Sequence, residues 1–446
     1  MIKHFIYILL LLLIALPASA DTSASKAGKQ QMKHIRENLK NQKGAEALKE
    51  VESMVKDSLY MWNAQVLQYG TEASRILYNT ENEKFYLKNK PDTAALFNSL
   101  YNMYRFALLT DKAEVMEHAD GKYRYRKSNM DFMSRFFRNL TAAPRYFSAK
   151  GKWEEVKKFT AIILDTENAP MMSTLSRPML DEKTRSDFAC MNVSACFRLK
   201  KYDEIGAYAH LATVANPNRE TALEQLSYAE VQTQDSIHYI KHLEEGHKDF
   251  PGNMFFFSRI VDHYLHVDNN AKVLATADET LEYVLAKAQE VAAFCVIDKV
   301  SSYGRPSEAE ALYGVRETVA LPHDQIAQIF EARAIAYHNQ HNREACINEA
   351  KNILTWNPQH ARANFYIGAS YYSLAEDVVI PARIDDPNYR KSMEARKALL
   401  AQARPYLEEY RKQNPDDNER WAPLLYETYL NLNLGAEFEE ISRFIH

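Results

Sequence analysis

Residues 205–217 read IGAYAHLATVANP and place Ile205, Ala209, Ala212 and Pro217 at offsets 0, 4, 7 and 12. Residues 239–251, YIKHLEEGHKDFP, set Tyr239, Leu243, Gly246 and Pro251 at the same offsets, 34 residues further on. Cys346, Ala350, Ile353 and Pro358 repeat the pattern, as do Ala403, Leu407, Tyr410 and Pro415. A packing face that advances by four and then three residues is one side of an α-helix, and proline stops it. A period near 34 marks stacked helical hairpins, none of which hides its apolar stripe alone. The expected fold is all-α: an α-α superhelix, a solenoid of helical hairpins. A solenoid offers a long binding surface rather than a catalytic pocket.

Composition agrees. Glycine is scarce (12) and tyrosine abundant (27), which leaves little tight-turn chemistry for a many-stranded β fold. Lys+Arg 55 against Asp+Glu 59 gives a net charge of −4. A nucleic-acid partner would call for a basic excess, so none is expected.

The N-terminus carries an address. Lys3 and His4 precede an apolar run from Phe5 to Leu16, Pro17 breaks it, and Ala18-Ser19-Ala20 is a small-x-small cleavage pattern. Residues 1–20 are predicted to be a signal peptide, removed to leave Asp21 first. The run is short for a bilayer span, and no later stretch is long and apolar enough, so no transmembrane segment is expected in the mature chain. No cysteine follows the cleavage site, which argues against a lipid anchor there. The predicted location is across the inner membrane, in the periplasm of a Gram-negative host. Export permits disulfides. Cys190 and Cys196 stand six apart on one predicted helix and face different ways. They, Cys295 and Cys346 read as small core residues, with a Cys295–Cys346 bond as the alternative.

Organisation follows the pattern's clarity. Residues 21–136 read as divergent helical repeats, and 137–446 as a clearer array with an insert near 375–395. Ala47, Val51 and Met54 make a first packing stripe. Residues 59–78 and the segment up to 89 read as a second pair, closed by Pro91, with Asp92 or Thr93 capping the next helix. Phe97, Leu100, Tyr101 and Tyr104 share one face of it. A hairpin turns at Gly151, and later pairs are expected at 253–287, 288–322 and 323–358. Gly304-Arg305-Pro306 and the capping box at Ser307-Glu308-Ala309-Glu310 fall inside the second of these.

The first helix Phe365-Tyr366-Ile367-Gly368-Ala369-Ser370-Tyr371-Tyr372 has a glycine where its partner must approach closely. The second helix entered through Phe197-Arg198-Leu199-Lys200-Lys201-Tyr202-Asp203-Glu204-Ile205 runs through Ala209 and Ala212 to Pro217. Gly151-Lys152-Trp153-Glu154-Glu155-Val156 and the trio Trp421, Leu424 and Tyr429 fit the same scheme. These residues resemble the tetratricopeptide repeat (TPR). Asn168 and Glu230 depart from it, standing where proline and an aromatic are expected. The long units are similar to those of exported, Bacteroidetes-type TPR proteins.

The resemblance implies a concave surface lined by first helices. Its exposed rows would include Arg138, Arg145, Asp187, Arg198, Asp262, His266, Glu331, His338, Arg362 and Tyr372. It implies a non-enzymatic scaffold that binds a protein or peptide partner in the cell envelope. The alternative is a glycan-capture protein related to the starch-binding outer-membrane family, which also uses TPR hairpins. Enzyme motifs are absent: no phosphate loop, GxSxG elbow or zincin motif occurs. No cofactor is called for. His238 with His242, and His263 with His266 beside Asp262, have helical spacing for a metal, but neither set has a glutamate pattern of the HExxH type or a cysteine at ligand spacing, so no metal is expected. Tyr123-Arg124-Tyr125-Arg126-Lys127 interleaves rings and cations and reads as a basic connecting segment. Asp57-Ser58-Leu59, Asp92-Thr93-Ala94 and Asp235-Ser236-Ile237 read as helix caps, or as O-glycosylation acceptors if the host is Bacteroidetes. The 375–395 insert is either a functional segment or an extension of its flanking helices.

Overall fold

The computed structural model describes residues 26–118, 121–175, 177–214, 216–303, 323–355 and 357–445, without the side chains of Lys26, Phe85 and residues 289–303. The predicted signal peptide, the Gly304-Arg305-Pro306 turn and its capping box lie outside the described residues. No strand occurs among those described, and the fold is an all-α array of TPR-like helical hairpins. The chain divides into two packing units, one ending at Ala229 and one beginning at Glu230.

In the first unit, α1 (Lys26–Lys40) pairs with α2 (Gly44–Met54), and α3 (Ala64–Tyr86) with α4 (Thr93–Glu117). Next come α5 (Arg126–Leu140), the short α6 (Ala143–Ser148), α7 (Trp153–Glu167) and α8 (Glu182–Arg198). A 3-10 turn (Ile205–Tyr208) and the single turn α9 (Ala209–Ala212) close the α8 hairpin. The predicted stripes are buried: Ala47, Val51 and Met54 on α2, and Phe97, Leu100 and Tyr104 on α4. An aromatic cluster joins the hairpins. Phe147 stacks on Phe159 at 5.2 Å between ring centres, and Phe97 meets Phe159 edge-on at 6.3 Å. One continuous core runs from Tyr78 to Ala229, across position 136.

Helix α10 (Arg219–Thr233) crosses from one unit to the other, and the second unit continues with α11 (Ser236–Asp249), α12 (Met254–His266) and α13 (Asn270–Tyr303). Three hairpins follow: α14 (His323–Asn339) with α15 (Arg343–Leu354), α16 (Ala361–Glu376) with α17 (Tyr389–Gln413), and α18 (Asn418–Leu432) with α19 (Gly435–Ile441). First helices lie side by side, α12 on α14, α14 on α16 and α16 on α18, while each second helix packs on the next first helix. The repeated packing positions Cys346, Ala350, Ile353, Ala403, Leu407 and Tyr410 are all buried. A Cβ on Gly368 would stand 2.7 Å from Leu407 Cγ, which is why that position holds glycine.

The hairpin turns share one backbone geometry. Gln42, Lys88, Gly151, Lys200, Gln234, Asp268, His341 and Asn433 all adopt a left-handed φ between 53° and 65°. In each case the next N–H donates to the carbonyl five residues back, as in Lys201 N to Cys196 O at 2.9 Å and Asn269 N to Tyr264 O at 2.7 Å. This is the Schellman closure, which satisfies carbonyls left open at a helix end. The α16–α17 hairpin, which carries the insert, is the one without it among the described hairpins.

Three expectations are corrected. Residues 64–86 form one helix rather than half of a 59–89 pair, because no glycine or proline interrupts 71–90. The lead-up to Pro217 is a 3-10 turn and a single α turn, since Gly206 and the β-branched Thr213 and Val214 weaken a regular helix. The boundary at 287/288 vanishes into α13, whose Ala, Leu, Lys and Glu residues favour helix throughout. Cys190, Cys196 and Cys346 are buried free thiols, so Cys346 makes no disulfide. Burial pushes the Cys196 thiol up to about 11.

Candidate functional site

The inner first helices of the second unit are covered almost all round. From Ile329 to His338 on α14, and from Ala363 to Ala375 on α16, every residue is buried or half-buried. What remains is a narrow polar and aromatic stripe. Arg362 Nη1 donates to Glu331 Oε1 at 2.6 Å and ties α16 to α14. His360 Nε2 lies 3.8 Å from the other Glu331 oxygen. The His338 ring meets Tyr366 edge-on at 5.3 Å. Burial, then Arg343 and His341, holds the His338 pKa below its usual value. Burial, then Glu376 and Glu427, raises that of Tyr372.

The sequence-predicted residues therefore separate into two kinds. Glu331 and Arg362 are ties between first helices, and His338 packs on Tyr366. Asp262, His266 and Tyr372 have no hydrogen-bond or ion-pair partner among the described residues, and Asp262 and His266 are exposed. In the first unit Arg138 and Arg145 are exposed and likewise unpaired among the described residues. Arg198 instead lies over the Trp153 ring, 4.4 Å from its centre, and Asp187 accepts from Asn218 Nδ2 at 3.4 Å.

Other constellations are absorbed by the fold. Arg126 forms a bidentate pair with Asp111 and stacks over Tyr123 at 3.8 Å, while Glu114 accepts from the Arg124 and Tyr125 amides. The 123–127 segment is thus a tethered connection. Asp92 caps α4 through the Ala94 and Ala95 amides, and Asp235 caps α11 through the His238 amide. His238 Nδ1 lies 2.7 Å from Asp235, and His242 Nδ1 lies 2.7 Å from Glu230. The insert is a link over 377–388 followed by extra turns of α17 ahead of its first buried residue, Leu400.

One feature escaped the sequence reading. A cavity of about 820 Å³ opens among α11, α12 and α13, with His247, Glu279 and Tyr283 in its wall. His247 follows a packing glycine and faces Glu279, 32 residues on, so no local spacing marks it.

The sequence matches no protein-family model and no curated protein. Among solved structures it is similar to the TPR domain of P58(IPK), at 12% identity over 93% of this chain and 99% of that one, with a TM-score of 0.24. It is also similar to a circular tandem repeat protein of novel repeat topology, at 11% identity over 93% of each chain, with a TM-score of 0.16. At such scores the class rests on the chain's own hairpins and their side-by-side first helices.

Proposed function

We propose that this chain is an exported, non-catalytic scaffold of the Bacteroidetes TPR type. It binds a protein or peptide partner in the cell envelope along its first helices. The observation that carries the reading is the second unit's row of first helices, where Asp262, His266 and Tyr372 remain unpaired among the described residues. Side chains of mixed charge and aromatic character suit an extended peptide segment, fixed by hydrogen bonds and ring contacts rather than by one dominant charge. The N-terminal charge, apolar run and Ala18-Ser19-Ala20 pattern support export.

Crosslinking with mass spectrometry in the native envelope tests both parts. The expected result is a periplasmic chain beginning at Asp21, crosslinked to a protein through α12 and α16. A chain retained in the cytoplasm with residues 1–20 attached would refute export. Crosslinks confined to second helices would refute the binding face. Retention on polysaccharide gels without a protein partner would favour glycan capture instead.

A further inference from the structure

We propose that the cavity among α11, α12 and α13 is a socket for the guanidinium of an arginine side chain presented by a peptide. The socket is distinct from the first-helix stripe. Ile260 and Tyr264 face it from α12, and Asp262 projects about 200° around the helix from Ile260.

Its inner wall holds His247, which is 6% exposed. Neither ring nitrogen has a hydrogen-bond partner. The Glu279 carboxylate is 3.6 Å from Nε2, too far for a hydrogen bond. Buried polar rings are nearly always satisfied, so an unpaired one beside an open cavity points to a missing partner. Burial lowers the His247 pKa, so the ring stays neutral and keeps an acceptor nitrogen.

The other charged groups set the sign of the ligand. Glu244 is occupied by the Tyr264 hydroxyl and by Lys272 at 4.0 Å. Glu279 and Glu282, three apart on α13, face no lysine or arginine within ion-pair distance among the described residues. Lys248 is the remaining base, exposed and likewise unpaired there. Two carboxylates against one ammonium leave the open charge negative, so a cation is favoured and an anion repelled. The Tyr283 ring is seated against Gly252, where a Cβ would come within 2.6 Å of Cε1, and the Tyr264 ring is the second aromatic wall. A guanidinium matches this set. It is flat, stacks on aromatic faces, and spreads several donors toward separate acceptors with less hydration to lose than an ammonium. A volume of about 820 Å³ exceeds one side chain, which leaves room for the flanking peptide.

The test is fluorescence anisotropy with the full chain and a fluorescein-labelled Gly-Arg-Gly peptide, against its citrulline counterpart. Citrulline keeps the shape and removes the charge. The arginine peptide should bind about tenfold tighter. Glu279→Gln with Glu282→Gln should abolish that preference, while Glu46→Gln, exposed on α2 of the first unit, leaves it unchanged. Binding should hold between about pH 8 and about pH 6.5 and weaken only below that, where His247 gains a proton and becomes donor-only. Equal binding of the two peptides, insensitivity to the double substitution, or no saturable binding up to about millimolar concentration would overturn the socket. Free arginine amide that competes as well as the unlabelled peptide would overturn its peptide origin.

Discussion

Gly368 and Gly206 have the same side chain and opposite surroundings. At Gly368 an added Cβ meets Leu407 Cγ at 2.7 Å and Leu407 N at 3.2 Å, whereas at Gly206 it meets nothing within 4 Å. Alanine gains helix propensity at either site. At Gly368 the crowding wins, because the backbone nitrogen cannot move aside, and Gly368→Ala should lose about 1–3 kcal/mol. Gly206→Ala should gain about 0.5 kcal/mol by restricting the unfolded chain. Urea midpoints of the two variants test the contrast, which collapses if they shift the same way. The sequence alone exposes Gly368, since a glycine inside an apolar helical pattern has few other reasons to be there. It conceals the partner of Arg362. Glu331 lies 31 residues away, and only folding brings the pair to 2.6 Å. Histidines add a pH term at the same scale. Burial lowers the pKa of His338 and His247 below 6.5, so below that value the unfolded chain binds protons that the folded chain refuses. Their contribution is present above about pH 6.5 and is lost as pH falls beneath it. His338→Gln should therefore flatten the fall in urea midpoint between about pH 7 and about pH 5. An unchanged slope would refute that assignment.

At the element scale the repeat is written more regularly in the backbone than in the residues. Lys200, Gln234 and Asp268 close successive hairpins at intervals of 34, yet their side chains have nothing in common. What recurs is a left-handed φ and a hydrogen bond to the carbonyl five residues back, and neither depends on side-chain chemistry. The prolines and packing residues were legible because burial selects residue type at a fixed period. The turns were not, except at Gly151. For an L-residue the left-handed conformation costs about 1 kcal/mol or more, while glycine adopts it freely. Lys200→Gly and Gln234→Gly should each raise stability by about 0.5–1 kcal/mol, and Lys200→Val should lower it by about 1–2 kcal/mol. Calorimetric melting temperatures would show this ordering. A loss on both glycine substitutions would mean that the lysine and glutamine side chains contribute more than the turn strain costs.

Across the whole molecule, stability is local because the cores are. The cluster from Tyr78 to Ala229 is separate from those built on α12–α14, on α14–α16 and on α17–α19. In stacked hairpins each unit gains its stability mainly from its neighbours, so damage spreads along the row and fades. Phe159 is fully buried and packs against Phe97, Tyr101 and Phe147. Truncation to alanine removes a ring from that cluster and should cost about 3–5 kcal/mol locally. The nearest helices, α4, α6 and α8, should then exchange their amide protons faster, while α16–α18 keep the protection they have in the unaltered chain. Hydrogen exchange read by mass spectrometry distinguishes this from global two-state unfolding, in which every protected helix would lose protection together. Uniform loss would mean that the clusters are coupled far more tightly than neighbour-to-neighbour packing allows.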